Sequence, residues 1–183
     1  MYKRQFGAQL LACGDADHVL VVAAEELDWI LLEAHRDWRL TTDGVNRGAL
    51  LAEGAAAVLL SKEGKFGAVE IGAGESFTSR REAPQAIATV IARLVPSGPI
   101  DLVVSGANET WVDKAIAAAI ERHYPKLMCP AVVPKQNIGE ALGAGSLLQV
   151  VLAISGLREL SAHRALVASL GWNQQAAAAL VEC

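Results

Sequence analysis

The chain alternates short, continuous apolar runs with stretches in which apolar residues recur at helical spacing. Continuous runs bounded by polar residues or glycine predict β-strands. They lie at residues 18–24, 55–61, 66–73, 100–104, 129–133, 165–170 and 176–182. Helical spacing predicts helices at residues 26–38, 84–94, 113–124 and in the apolar run 147–154. This alternation predicts an α/β layered fold with a mixed sheet covered by helices.

Two local patterns predict how particular strands pack. The strand at 18–24 is apolar on both faces, which is typical of a parallel strand covered on both sides. The strands at 55–61 and 66–73 flank a turn at residues 62–65. A glycine among charged residues between two apolar runs favours a β-hairpin. We therefore expect these two strands to pair with each other.

The composition is unusually apolar. Hydrophobic residues make up 52% of the 183-residue chain, and the mean hydropathy is +0.30. Either nearly every strand and helix is buried, or a large face is kept for a partner. No apolar run reaches the length of a membrane span without a charge or a glycine. The net charge of −4 and the scattered lysines and arginines predict no nucleic-acid partner.

The three cysteines are Cys13, Cys129 and Cys183. Their spacing is not that of a metal site, and an odd number argues against a disulfide framework. We therefore expect a reducing, cytoplasmic location with no metal and no cofactor.

Two stretches carry the candidate chemistry. The first, residues 105–113 with the sequence SGANETWVD, joins a predicted strand to a predicted helix. The second, residues 135–156, begins as the glycine-punctuated loop KQNIGEALGAG and becomes an apolar helix. Glycines and small residues at such junctions allow close backbone approach to a ligand or to another element. We expect the two stretches to face each other.

These stretches resemble the C-terminal half of the β-ketoacyl synthases, the condensing enzymes of the thiolase-like fold. In that family a histidine opens an H-G-T-x-T-x-x-x-D segment, and a second histidine closes K-x-x-x-G-H before L-x-G-A-x-G. The matching residues here are Gly106, Asp113, Lys135, Gly139, Leu142, Gly143, Ala144 and Gly145. Ser105 and Glu140 stand where the family has its two histidines.

The resemblance implies a chemistry that these two substitutions disable. In the family, a cysteine takes an acyl group from acyl carrier protein, and the two histidines donate hydrogen bonds to the malonyl thioester during decarboxylation. Ser105 is shorter than histidine, and an ionised Glu140 would repel the malonyl carboxylate and the enolate. Losing one such donor typically costs roughly 100- to 1000-fold in rate. We therefore expect a site with no catalytic residue intact.

The resemblance also assigns further positions. The family's lysine at the place of Lys135 pairs with a glutamate of the following helix, but Gln149 occupies that glutamate's place. We therefore expect a Lys135–Glu140 ion pair that replaces it and closes the old site. Gly171 and Trp172 match the start of the family's gate loop, G-F-G-G-x-N, between its last two strands.

By the same resemblance the thiolase-like fold is truncated at its N-terminus. Residues 6–47 would be a remnant of the N-terminal half, and residues 48–183 the C-terminal half. The family's nucleophilic cysteine would lie just before the helix that begins near Phe6. Residues 1–5, MYKRQ, match the translation of a transposon end used in sequencing libraries, which suggests an adapter-derived scar. The alternative is an ordinary basic N-terminus.

Other polar residues are expected to be structural. Cys13 lies on the last turn of that helix, without the helix N-terminus or cationic neighbour that activates a thiolate, so we expect it to be buried. Glu53, in a segment matching the family's R-D-G-F-x-x-G-E-G-A, is expected to bind backbone donors. The four histidines, which form no coherent arrangement, are His18, His35, His123 and His163. A hydrolytic pair of Ser105 and Glu109 would lack a histidine base.

Three functions are consistent with the sequence. The first is a non-catalytic β-ketoacyl synthase-like protein of fatty acid or polyketide biosynthesis, similar to a chain-length factor that partners an active synthase. The second is an active acyl-ACP condensing or acyl-transfer enzyme whose cysteine lies upstream. The third is a non-enzymatic scaffold that keeps the fold. The expected partners are acyl carrier protein and a β-ketoacyl synthase, in a homo- or heterodimer.

Overall fold

The computed structural model describes residues 2–42, 47–63, 67–72, 74–94 and 99–183. In chain order its elements are α1 (Tyr2–Cys13), β1 (His18–Glu25), α2 (Trp29–Asp37), β2 (Gly54–Ser61), β3 (Ala68–Ile71), β4 (Glu75–Ser76), α3 (Ala83–Leu94), β5 (Leu102–Ser105), α4 (Trp111–His123), β6 (Ala131–Val132), α5 (Lys135–Ile138), α6 (Gly145–Glu159), β7 (Arg164–Gly171) and β8 (Gln175–Glu182). Two sheets result, a small one of β1 and β2 and a larger one of the other strands.

The larger sheet is mixed, as the sequence predicts. Its strand order is β3-β8-β7-β5-β6, and β4 also pairs with β8. β5 runs parallel to β6 and β7, whereas β8 is antiparallel to β7 and β3. The parallel strands β5 and β7 bring the end of β5, at Ser105, beside Ala168. The candidate functional residues lie at this end of β5.

The predicted hairpin between the strands at 55–61 and 66–73 is wrong. β2 pairs with β1, with Val58 opposite Val21. β3 pairs instead with β8, with Val69 opposite Val181. A turn signal reflects local geometry only, whereas here each strand pairs with a partner distant in sequence, β2 over eight residues and β3 over four. Gly64 and Lys65 of the predicted turn lie outside the described residues.

The prediction that β1 is parallel and covered on both faces is also wrong. β1 is antiparallel to β2, and α1 covers one face, where a Cβ on Gly7 would lie 3.1 Å from Val19 Cγ1. On the other face Leu20 is 62% exposed and its cross-strand neighbour Leu59 is 65% exposed. Apolar residues on both faces of a strand do not reveal whether both faces are covered. The chain thus has an open apolar face, one of the two arrangements that its composition allows.

Helices cover both faces of the larger sheet. α3 and α4 pack together on one face, where Ile87, Ile91 and Ile116 are almost fully buried. α6 packs on the other face and also contacts β2, so it lies between the two sheets. The small sheet contains strands from both sides of the predicted boundary at residue 48. No helix within the described ranges is long and apolar enough to cross a bilayer.

A matched pair of leucine-to-alanine substitutions tests which of these faces is buried in the core. Leu157, on α6, is 0% exposed, whereas Leu20 is 62% exposed. We expect Leu157→Ala to lower the free energy of unfolding by about 2–5 kcal/mol because it leaves a cavity. Leu20→Ala should change it by about 0.5 kcal/mol or less. Urea unfolding followed by circular dichroism measures both values, and a large loss in Leu20→Ala would mean that this face is covered in solution.

Candidate functional site

The two candidate stretches meet at the end of β5, as expected. Glu140, between α5 and α6, is the centre of the site and is 6% exposed. Its Oε2 atom accepts a hydrogen bond from Lys135 Nζ at 2.6 Å and from Asn108 Nδ2 at 2.8 Å. Lys135 is 7% exposed and Asn108 3% exposed, so the whole cluster is buried. The predicted Lys135–Glu140 ion pair is therefore present, with Asn108 as a third member that the sequence did not indicate.

The backbone around Glu140 is fixed from two sides. Its N–H donates to Leu50 O at 2.6 Å, and its carbonyl accepts from Ala52 N at 3.1 Å. Gly139 precedes it with φ 78° and ψ 179°, a conformation open almost only to glycine. A Cβ on Gly139 would also lie 2.5 Å from Ala52 Cβ and 2.9 Å from Leu50 O. Gly139 therefore allows segment 50–52 to approach closely enough to hold Glu140 in place.

Asn108 is itself held by the start of α4. Its backbone N–H donates to Asp113 Oδ1 at 2.8 Å, and its side-chain Oδ1 accepts from Thr110 Oγ1 at 2.6 Å. Thr110 is the N-cap of α4 and also accepts from Val112 N at 3.3 Å. With its oxygen engaged by Thr110, the Asn108 amide directs its NH₂ group at Glu140. The cap and the site are thus one hydrogen-bonded unit.

Ser105 lies at the end of β5 and is 8% exposed. Its Oγ accepts a hydrogen bond from Ala107 N at 3.2 Å. Glu109 is exposed and has a positive φ of 63°. Since the two residues share no hydrogen bond within the described part of the chain, the geometry gives no support to a hydrolytic pair.

Gln149 is buried on α6 beside the site and is 1% exposed. Its Nε2 donates a long hydrogen bond, 3.4 Å, to Ala168 O, and a Cβ on Gly106 would lie 3.3 Å from the same nitrogen. Its Oε1 has no partner among the described residues. The ion-pair partner of Lys135 is Glu140 rather than this residue, as the sequence predicts.

Gly171 is the last residue of β7, and Trp172 begins the turn that leads to β8. The Trp172 ring lies 5.0 Å from the ring of His35, which in turn lies 5.4 Å from Trp38. His35 is 6% exposed and donates from Nδ1 to Leu31 O at 2.8 Å. His35 is therefore a buried member of an aromatic stack in the last turn of α2. None of the four histidines is a hydrogen-bond partner of Lys135 or Glu140.

The remaining predicted residues are peripheral to this network. Cys13 is exposed, so the prediction of a buried thiol is wrong; the face of α1 on which it lies is not covered. Glu53 is exposed and accepts one backbone hydrogen bond, from Leu27 N at 3.3 Å. Burial, assisted by the charge of Asp101, raises the pKa of the Cys129 thiol, which makes it a poor nucleophile. Within the described ranges no group of three potential metal ligands is present.

The buried ion pair predicts that a second substitution partly rescues the first. Lys135→Met should lower the free energy of unfolding by about 3–5 kcal/mol because it leaves a buried carboxylate without its cation. Adding Glu140→Gln removes that charge while keeping an acceptor for Asn108, so the double variant should regain about 2 kcal/mol. Arg36→Met, in an exposed pair with Glu33 at 3.6 Å, is the control and should cost about 1 kcal/mol or less. Urea unfolding of the four proteins checks this, and an equal loss in single and double variants would contradict it.

The conformation of Gly139 gives a second prediction. Gly139→Ala should cost at least about 2 kcal/mol, because it adds backbone strain and a contact with Leu50 O and Ala52. Gly74→Ala is a matched control, since its nearest described atom would be Ala176 O at an ordinary 3.5 Å. Thermal unfolding of both variants measures the difference. Equal melting temperatures would show that Gly139 is not needed to seat Glu140.

Known proteins resemble this chain in structure but not in sequence. No family model matches the chain, and no curated protein matches it in sequence. A β-ketoacyl synthase from Burkholderia phymatum superposes with a TM-score of 0.84 at 13% identity, over 99% of this chain and 58% of its own. The ishigamide ketosynthase/chain length factor superposes with a TM-score of 0.79 at 16% identity, over 99% and 57%. A type II polyketide synthase acyl-carrier protein in complex with its ketosynthase gives 0.75 at 12% identity, over 97% and 55%.

These similarities confirm the thiolase-like layered fold predicted from the two motif stretches. At such low identity they establish the fold alone. The chain spans just over half the length of these three solved structures, which is consistent with the C-terminal half. The chain thus has the fold of the ketosynthases and chain-length factors over that part of their length.

Proposed function

We propose that the chain is a β-ketoacyl synthase-like protein of fatty acid or polyketide biosynthesis that does not catalyse condensation and acts as a partner subunit, in the manner of a chain-length factor. One observation carries the proposal. The buried carboxylate of Glu140, at a position where the family resemblance places a histidine, is held by Lys135 and Asn108. The fold likeness to a ketosynthase/chain length factor supports it.

Charge argues against decarboxylation at this site. The reaction begins with a malonyl carboxylate and passes through an enolate, so the site must supply hydrogen-bond donors to negative charge. An ionised Glu140 supplies only acceptors. Two like charges about 4 Å apart repel by roughly 4 kcal/mol at an effective dielectric of about 20, which is an upper limit here because Lys135 lies 2.6 Å from the same carboxylate. That repulsion opposes both substrate binding and the developing charge.

The donors that remain nearby are already engaged. The ammonium group of Lys135 and the amide of Asn108 both donate to the same Glu140 oxygen. If either group turned fully towards a thioester carbonyl, the buried carboxylate would lose one of its two partners, which is costly. Ser105 has a hydroxyl that can donate, but it is buried and shorter than an imidazole. The site is thus a structural polar core rather than an oxyanion hole.

The proposed partners are taken from the solved structures that share this fold. A solved structure with this fold contains an acyl-carrier protein bound to its ketosynthase, and another is a ketosynthase/chain length factor. We extend these associations to this chain as proposals: a dimer with a β-ketoacyl synthase, contact with acyl carrier protein, and a cytoplasmic location. In this assignment residues 6–47 belong to the N-terminal half and residues 48–183 to the C-terminal half.

Malonyl-ACP decarboxylation tests the proposal. We expect the unmodified chain to release carbon dioxide at the rate of buffer alone. Installing both imidazoles, in Ser105→His/Glu140→His, should raise the rate at least about 100-fold, since each donor is worth roughly 100- to 1000-fold. The control variant Ser105→Ala/Glu140→Gln removes the charge without adding donors and should stay at background. Loss of malonyl-ACP is followed by mass spectrometry.

Either of two results would count against the proposal. Decarboxylation by the unmodified chain would favour the alternative, an active condensing enzyme. Failure of the folded double-histidine variant to gain activity would mean that the residues at positions 105 and 140 are not what silences the site. Circular dichroism and thermal unfolding establish that each variant is folded.

A further inference from the structure

A cleft of about 910 Å³ lies between α2 and the segment at residues 47–51, apart from the Glu140 side-chain network. The backbone that forms it is fixed by hydrogen bonds. Ala49 N donates to Leu40 O at 2.8 Å, and Thr42 N donates to Ala49 O at 3.2 Å. These bonds bring Arg39 and Arg47 to the same cleft although eight positions separate them in the chain.

The charge of the cleft is positive. Arg36, Arg39 and Arg47 line it, and Glu33 is the one carboxylate on its described wall. Glu33 pairs with Arg36 at 3.6 Å. Arg39 and Arg47 have no carboxylate partner among the described residues, and both side chains are exposed. Within the described part of the chain, the cleft is thus lined by two arginines that have no carboxylate partner.

The cleft is also apolar on one side. Leu32 and Leu50 line it and remain 40% and 58% exposed, and Leu51 forms a buried part of the wall. A cleft of this volume accommodates a ligand of drug size or larger. Exposed leucines beside unpaired guanidinium groups favour a ligand that has both an anionic head and an apolar arm.

We propose that this cleft binds an organic phosphate with an apolar arm. A phosphate dianion matches Arg39 and Arg47 in charge, and its oxygens can accept paired hydrogen bonds from a guanidinium group. The apolar arm lies against Leu32 and Leu50. The site is independent of the proposed function, because none of the cleft's side chains takes part in the Glu140 network.

Isothermal titration calorimetry with n-octyl phosphate, below its micelle concentration, tests the proposal. We expect saturable binding with a stoichiometry of one. Inorganic phosphate and n-octyl glucoside, which each carry half of the proposed chemistry, should bind at least about tenfold more weakly. The variant Arg39→Gln/Arg47→Gln should weaken binding of octyl phosphate at least about tenfold.

The control variant is Lys114→Gln/Lys126→Gln, which removes the same charge from exposed positions outside the cleft. It should bind octyl phosphate like the unmodified chain. Absence of saturable binding to the folded protein, or equal binding by the two double variants, would overturn the proposal. Binding of octyl glucoside as tight as that of octyl phosphate would overturn the assignment of an anionic ligand. Matching melting temperatures for both variants exclude unfolding as the cause of any loss.

Discussion

A single buried carboxylate, that of Glu140, holds together three parts of the chain. Its side chain binds Lys135 from its own segment and Asn108 from the β5–α4 junction. Its backbone bonds to Leu50 and Ala52, which precede β2. A buried charge is tolerated only when its partners are in place, so each of these segments is constrained by the others. The interaction therefore determines both the geometry of the site and the chemistry that it excludes.

The sequence alone predicts those contacts of the arrangement that join residues close together in the chain. Lys135 and Glu140 are five residues apart, and their pairing was predicted because Gln149 takes the place of the family's glutamate and Glu140 is the nearest acid in the sequence. The layered fold followed from the alternation of strands and helices and from the two motif stretches. Asn108 could not be assigned as a partner, because it lies 32 residues from Glu140 in the chain. Asn108 and Glu140 lie in the segments that follow β5 and β6, two parallel strands whose pairing no local pattern encodes.

The wrong predictions share one cause, which is that they concern contacts between residues distant in the sequence. The hairpin between β2 and β3 was inferred from a turn signal, but strand pairing is decided by partners distant in sequence, here β1 and β8. Whether β1 is covered and whether Cys13 is buried depend on which helices and strands pack against β1 and α1. Likewise the contact of His35 with Trp172 joins residues far apart in the chain. The arginines of the cleft also look scattered along the sequence until Ala49 and Leu40 bring them together.

The burial of Lys135 and Glu140 has a consequence for how the protein responds to dissolved salt. Their contact is shielded from mobile ions, whose screening acts over about 8 Å in physiological solution and mainly on exposed charges. Arg39 and Arg47 are exposed and have no such protection. Raising the ionic strength should therefore weaken attraction at the cleft while it leaves the Glu140 network unchanged. The molecule thus carries one set of charges that its surroundings can tune and another that they cannot.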